Sequence, residues 1–245
     1  MAQTFQIITL MFRCDKTACF TFGDKVYLFG GFGPPPATSQ LDKLGTLFEF
    51  CEDPTTTSGF GSYTRGWSNQ LVVYNSGTNR WEWPACTGQA PSPRAAHSVS
   101  VVGSMAYVFG GRHLDTRLND LHSLDLVTMR WSLVVADTDA LDVPVGRSWQ
   151  TMTPIHTGRE EGGLVIYGGF DNNLTALGDC WRMDLNCQPC SWVRCPHLEL
   201  GPRLWHAAVG LDNSQVGRGF HQLCFKLNST KAFQVTFRSN ARNCL

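Results

Sequence analysis

The sequence predicts an all-β protein made of β-propeller blades. Three marks recur in the same order: an opening turn with an arginine, a β-rich run ending in a glycine pair, and a strand followed by a tryptophan. Each unit supplies a small antiparallel sheet, and such sheets bury their faces by stacking around an axis. We therefore expect an incomplete propeller of about three blades plus part of a fourth.

The glycine pairs mark the end of one strand in each unit. We expect them where the backbone needs a positive φ, or where a side chain would collide near the axis. The tryptophans Trp81, Trp131 and Trp192 are expected to pack between neighbouring blades. The glycine-pair runs are KVYLFGGF at 25–32, MAYVFGGR at 105–112 and GLVIYGGF at 163–170.

The opening turns set the period of the units. Arg94, Arg147 and Arg203 stand 53 and 56 residues apart, close to the ~50-residue period of kelch repeats, which the pattern resembles. No glycine pair follows Val209, so we expect only the first strand of a fourth unit. The predicted division is a divergent segment at 1–13, kelch repeats at 14–212 with an insertion at 33–69, and a divergent tail at 213–245.

Composition limits the function classes. The 20 basic and 20 acidic residues of the 245-residue chain cancel, which favours neither nucleic acid nor an anionic membrane as a partner. No run approaches the ~20 apolar residues that cross a bilayer, and the start lacks the basic region of a secretion signal. We therefore expect a soluble intracellular protein with reduced cysteines and no cofactor.

The segments that link the repeats carry a more specific resemblance. They are similar to the family of kelch domain-containing proteins 1 and 2, which are substrate receptors of a cullin-2 RING ubiquitin ligase. Those receptors bind proteins whose chain ends in Gly-Gly. The resemblance implies the same role here, in a truncated or alternative-transcript form. The segments are LGTLFEF at 44–50, RGW at 65–67, QAPSPRAAH at 89–97, FGGRHLDTRLNDLH at 109–122, VGRSW at 145–149 and PRLWH at 202–206.

The resemblance also implies a carboxylate site. The family positions that bind the terminal carboxylate of the degron fall on Arg112, Arg117 and Ser148. A guanidinium offers paired donors that suit a carboxylate, and a serine hydroxyl adds another. The residue types alone also fit a simpler interpretation, in which the arginines are solvated or pair with Asp115 or Asp120. In that interpretation the Ser148 hydroxyl forms a hydrogen bond with its own backbone.

Five further positions match the pocket lining of the family. Tryptophans give rigid apolar walls to a bound peptide, and a pocket without room for a Cβ selects glycine. Phe32 replaces a tyrosine of the family, so the hydroxyl contact is lost here. The five positions are Lys16, Phe32, Trp67, Trp149 and Trp205.

The ligase-docking segment is not found in the sequence. In the family, a helical apolar segment after the propeller binds elongin B and elongin C, which connect the receptor to cullin-2. The tail contains LCFKL at 223–227, but the apolar residues there fit no long helix. We therefore expect elongin docking to be lost, and we expect only weak peptide binding because blades of the ring are missing.

Other chemistry is disfavoured. The pattern C-x6-C-x2-C-x4-C differs from the two short-spaced pairs of structural zinc sites, so we expect thiols and no metal. Histidines recur at repeat positions, which is typical of packing, and no catalytic motif is present. We expect a non-catalytic protein, and the alternative function is a general kelch interaction scaffold without ligase docking. The cysteines of the pattern are Cys180, Cys187, Cys190 and Cys195.

Overall fold

In the part of the chain that the computed structural model describes, four larger sheets follow one another, together with one two-stranded ribbon. This arrangement confirms the predicted all-β fold of stacked blades. No helix within the described ranges is long and apolar enough to cross a membrane. The structure describes residues 15–35, 48–56, 64–136, 138–157, 160–186, 189–196, 200–211, 220–226 and 232–238, with the side chains of 156–161 and of 210 onward left out.

The first sheet contains the insertion. Its strands are β1 (Ala18–Phe22), β2 (Lys25–Gly33), β3 (Phe50–Glu52), β4 (Gly66–Asn75) and β5 (Arg80–Glu82). Their order is β1-β2-β4-β3, and β5 pairs with the far end of β4. The insertion thus supplies β3, a 3-10 turn at Pro54–Thr56 and the first residues of β4.

The second sheet carries the ribbon. Its strands are β6 (Thr87–Gly88), β7 (Ser98–Val102), β8 (Met105–Phe109), β11 (Leu121–Asp125) and β12 (Arg130–Val135), and the ribbon between them consists of β9 (Arg112–His113) and β10 (Thr116–Arg117). The order is β6-β12-β11-β8-β7, with β6 parallel to β12 and all other neighbours antiparallel. The ribbon therefore projects from the connection between β8 and β11.

The third sheet repeats this plan. Its strands are β13 (Arg147–Ser148), β14 (Thr151–Thr157), β15 (Glu160–Asp171), β16 (Ala176–Met183) and β17 (Trp192–Arg194). The order is β13-β15-β16-β17, and β14 also pairs with β15. The turn between β15 and β16 lies at the same place in its unit as the ribbon does in the second.

The fourth sheet is larger than the repeat marks predict. It contains β18 (Ala207–Leu211), β19 (Phe220–Lys226) and β20 (Ala232–Arg238) in that order. The prediction of a single strand was therefore wrong, because β19 and β20 lie in the segment assigned to the divergent tail. β19 carries two phenylalanines, and β20 carries aromatic and β-branched residues, all of which are typical of strands. No glycine pair marks either strand.

The core lies between the blades. Trp131 packs against Phe29 of the first sheet with ring centroids 5.1 Å apart, and Trp192 packs against Phe109 of the second at 5.3 Å. Both tryptophans are buried, which confirms their predicted role. Trp81 instead contacts a ring of its own sheet, Tyr74, at 5.0 Å.

The glycine pairs meet the expected backbone requirement. The first glycine of each pair has φ between +63° and +67°, a region that residues with a Cβ rarely adopt. A Cβ on Gly110 would also lie 2.8 Å from the carbonyl oxygen of Arg147 in the next unit. The close approach of the two backbones therefore requires glycine.

Each opening arginine joins two blades. The carbonyl of Arg94 accepts a hydrogen bond of 2.8 Å from the Gly31 amide of the preceding blade. Its guanidinium, fully buried, donates to Gly110 O at 3.0 Å and to both Asp120 carboxylate oxygens at 2.6 and 2.8 Å in its own blade. We call this set of contacts the arginine clamp.

The clamp recurs in the third blade. The carbonyl of Arg147 accepts from the Gly111 amide at 2.8 Å. Its guanidinium donates to Gly168 O at 3.0 Å and to Asp179 at 2.7 and 2.9 Å. Arg203 repeats only the first half, because the Gly169 amide donates to its carbonyl while its buried Nη1 has no hydrogen-bond partner among the described residues.

Arg94→Ala should lower the free energy of unfolding by about 3–5 kcal/mol, because it leaves the Asp120 carboxylate buried without its partner. Urea denaturation followed by tryptophan fluorescence measures the change. Arg80→Ala, at an exposed position of β5, is the control and should stay within about 0.5 kcal/mol of the unaltered chain. If the two variants are equally stable, the arginine clamp does not stabilise the fold as we expect.

Stability should also fall when the pH is lowered from neutral towards 5. Burial, with Arg94 nearby, lowers the pKa of His97 to about 3, whereas the unfolded chain titrates at about 6.5. The unfolded state therefore binds a proton in this window that the folded state does not. Burial and Arg203 likewise lower the pKa of His206 to about 4. Thermal unfolding across this range measures the loss.

His97→Gln should reduce this pH dependence. Gln150 stands at the equivalent position of the next unit and donates to Phe109 O at 3.0 Å and to Ser98 Oγ at 3.1 Å, so glutamine fits the position. His113→Gln, at a partly exposed ring, is the control. If stability depends on pH as steeply in His97→Gln as in the unaltered chain, His97 is not the group that causes the pH dependence.

Candidate functional site

Two arginines face each other across the ribbon. Arg112 and Arg117 are Cα partners in the antiparallel register of β9 and β10. Like charges directly opposite one another destabilise a strand pair. An anion between the two side chains removes that repulsion, so the ribbon has the charge arrangement of an anion site.

Arg117 is the buried member of the pair. The residue is 6% exposed, its Nε donates to Ser148 Oγ at 3.2 Å, and its guanidinium lies over the Phe170 ring at 4.9 Å. Burial and the charge of Arg112 lower the pKa of Arg117, and Asp171 acts in the opposite direction. The guanidinium is therefore held in place beside a hydroxyl.

Arg112 is the exposed member. Its Nη2 contacts Asp115 at 3.1 Å, its Nε donates to Leu114 O at 2.6 Å, and its side chain is 39% exposed. The simpler interpretation thus holds in part for Arg112, whereas Asp120 belongs to the Arg94 clamp. An exposed ion pair of this kind contributes little, so a bound carboxylate can replace it.

A ladder of backbone hydrogen bonds crosses the blades beside the ribbon. The amide of Ala96 donates to Lys16 O at 3.0 Å, that of Trp149 to Ala96 O at 2.9 Å, and that of Trp205 to Trp149 O at 3.2 Å. All four residues are left-handed, with φ from +57° to +62°. The shared backbone geometry places the four residues in equivalent positions of successive units.

The side chains of this ladder form one wall of the site. Trp149 and Trp205 meet edge to face with centroids 5.2 Å apart, and the Lys16 Nζ lies 5.5 Å from the Trp149 ring. Trp149 also contacts Phe170 at 5.9 Å, the ring beneath Arg117. This wall therefore continues from the exposed Trp205 to the buried guanidinium.

A second wall lies on the Arg112 side. Phe32 and Trp67 are Cα partners on β2 and β4, with ring centroids 4.9 Å apart. The Arg112 guanidinium lies 5.9 Å from the Trp67 centroid. Arg65 stacks on Phe32 at 4.8 Å and pairs with Asp15 at 2.7 Å. The ribbon joins this wall to the first, so all eight predicted residues contribute to one region.

Repeat equivalence identifies site residues that the motif search missed. Phe170 directly follows a glycine pair, as Phe32 and Arg112 do, and it lies under Arg117. Ala96 occupies the same ladder position as Trp149. Both residues are visible in the sequence once the three units are aligned on their glycine pairs and arginines.

Three of the four cysteines of the pattern, Cys180, Cys190 and Cys195, lie within the described residues. No group of three histidine, cysteine or acidic residues suitable for a metal occurs there, and Cys187 lies outside them. Cys180 lies on β16 beside Cys195, which directly follows β17, and the Cys195 amide donates to Cys180 O at 2.8 Å. The hydrogen bond between their thiols, with burial, raises the pKa of Cys180.

Comparison with known proteins assigns the family. The model of the KLHDC2/KLHL20/DRC7 Kelch-repeats domain matches residues 11–159 and 58–219. The chain belongs to this kelch family. The matched ranges include both walls and the ribbon.

Kelch domain-containing proteins are the similar relatives. Kelch domain-containing protein 2 of Bos taurus is 37% identical over 204 residues, which are 82% of this chain and 46% of the relative. Kelch domain-containing protein 1 of Homo sapiens is 35% identical over 204 residues, with coverages of 81% and 46%. The kelch chain thus spans about half the length of these relatives.

A solved structure shares the architecture. The structure of YjhT matches with a TM-score of 0.59 and 14% sequence identity, covering 86% of this chain and 58% of that chain. At this identity the likeness concerns the fold alone.

Proposed function

We propose that the kelch chain recognises peptides that end in Gly-Gly, and that Arg112 and Arg117 bind the terminal carboxylate. The observation that carries the proposal is the register of the ribbon, which sets two like charges opposite each other. A carboxylate has two oxygens, and each guanidinium presents paired donors to them. Ser148 Oγ, already accepting from Arg117, has a hydroxyl proton to donate.

The walls support selection of glycine at the chain end. Phe170 covers one face of the Arg117 guanidinium, and Trp149 lies against Phe170. A carboxylate at Arg117 places the last residues of its peptide along these rings. A side chain there competes with the aromatic wall for space, whereas glycine does not.

The ligase role is the second part of the proposal. The resemblance to kelch domain-containing proteins 1 and 2 implies a non-catalytic substrate receptor of a cullin-2 RING ubiquitin ligase in nucleus and cytoplasm. We propose that this chain supplies the substrate-binding part without elongin docking. The alternative is a kelch scaffold whose binding does not depend on a free chain end.

Fluorescence polarisation with a labelled peptide ending in Gly-Gly tests the recognition. We expect binding weaker than micromolar, because the chain spans about half the length of its relatives. Amidation of the terminus, one added residue, or Arg117→Ala should each weaken binding by about tenfold or more, because a charge-assisted hydrogen bond is lost. Arg80→Ala, which removes an exposed arginine of β5 outside both walls, is the matched control.

The two functions give different results in this assay. Equal affinity for free and amidated peptides would reject the carboxylate site and support the scaffold. Micromolar or tighter binding that depends on Arg117 would contradict the expected weakness while supporting the site.

A pull-down with purified elongin B and elongin C tests the ligase part. We expect the kelch chain to recover neither protein, because the segment at 213–245 shows no long amphipathic helix pattern and β19 and β20 within it are strands. Full-length kelch domain-containing protein 2 is the positive control. Stoichiometric recovery by this chain would show that docking persists.

A further inference from the structure

The position of Arg117 needs support from outside its ribbon. The strands β9 and β10 have two residues each and, among the described residues, join no larger sheet. Arg112 on β9 forms a backbone bridge with Ala95 of its own blade, whereas β10 has no strand partner on its outer side in that part of the chain. A lone two-stranded ribbon is marginal in water. The repulsion between Arg112 and Arg117 weakens it further, so contacts from another blade must hold Arg117 in place.

Asn172, in the turn between β15 and β16, makes such contacts. Its Oδ1 accepts a hydrogen bond of 2.7 Å from the Arg117 amide, and its Nδ2 donates to the Arg117 carbonyl at 3.1 Å. In an antiparallel sheet a strand residue offers its neighbour one acceptor and one donor in the same way. The side-chain amide therefore takes the place of a strand partner.

The surroundings of Asn172 make this contact specific. Asp171 Oδ1 accepts from the amides of Asn173 at 3.0 Å and of Thr175 at 2.8 Å, which shapes the turn. A Cβ on Gly146 would collide with the Arg117 carbonyl oxygen. The backbone of Arg117 thus sits in a notch between Gly146 and Asn172 of the third blade.

We propose that Asn172 is a positioning residue for carboxylate recognition. It fixes the backbone of Arg117, and thereby the guanidinium that lies beside Ser148. Only an amide of this length both accepts and donates here, since aspartate lacks the donor and alanine lacks both groups. This inference rests on the proposed function and adds a residue that contacts no peptide.

Asn172→Ala tests the contact directly. Amide exchange at Arg117, measured by hydrogen–deuterium exchange, should accelerate by about tenfold or more because its acceptor is lost. Binding of the Gly-Gly peptide should weaken by about tenfold. Asn173→Ala, an exposed residue of the same turn, is the matched control and should change neither quantity. Asn172→Leu, which is similar in size and lacks both the acceptor and the donor, replaces the alanine variant if that variant does not fold.

Variants of the two arginines separate positioning from a general loss of structure. The effect of Asn172→Ala on peptide affinity should persist in an Arg112→Lys background and shrink in an Arg117→Lys background, because Asn172 acts through Arg117. Equal effects in both backgrounds would overturn the inference. So would unchanged peptide affinity or unchanged amide exchange in Asn172→Ala.

The inference and the proposed function fail in different ways. If the unaltered chain binds the peptide and Asn172→Ala binds it equally well, the inference fails while the function stands. If the unaltered chain shows no carboxylate-dependent binding, the function fails and the role of Asn172 in recognition falls with it. Amide exchange then shows whether Asn172 holds Arg117 at all.

Discussion

The arginine clamp is the interaction on which the rest of the structure depends. A buried guanidinium is costly unless a carboxylate and further acceptors satisfy it, and Arg94 and Arg147 each meet that condition within one blade. Their carbonyls accept from the glycine pair of the blade before. Each clamp therefore fixes a turn in its own blade and its distance to the preceding blade, and the ladder residues lie two positions further along the same turns.

The candidate site follows from that spacing. Because the clamps set neighbouring turns in register, residues from three blades reach a ribbon that is not stable by itself. The like charges of Arg112 and Arg117 then work against the local fold. A conflict of this kind is expected where a protein keeps residues for binding rather than for stability.

The sequence predicted those parts of the structure that repeat from blade to blade, because glycine pairs, arginines and tryptophans recur there in a fixed order. The glycine pairs and the tryptophans Trp131 and Trp192 occupy repeated positions, and the eight candidate site residues lie at repeated positions or in matched motifs. The strands β19 and β20 carry no such mark, and only their aromatic residues, with the β-branched residues of β20, point to a sheet. Asn172 was out of reach for another reason: a side chain that imitates a backbone partner has no fixed spacing in sequence.

The ladder has a consequence for how such a site can change over evolutionary time. The ladder consists of backbone hydrogen bonds between residues in the left-handed conformation. Because these bonds use only main-chain atoms, they do not depend on which side chain each residue carries. The four ladder positions carry the ammonium of Lys16, the methyl group of Ala96 and the indoles of Trp149 and Trp205. Exchanging these side chains alters the shape and charge of the candidate site without breaking the backbone hydrogen bonds of the ladder, so one architecture can present many different surfaces.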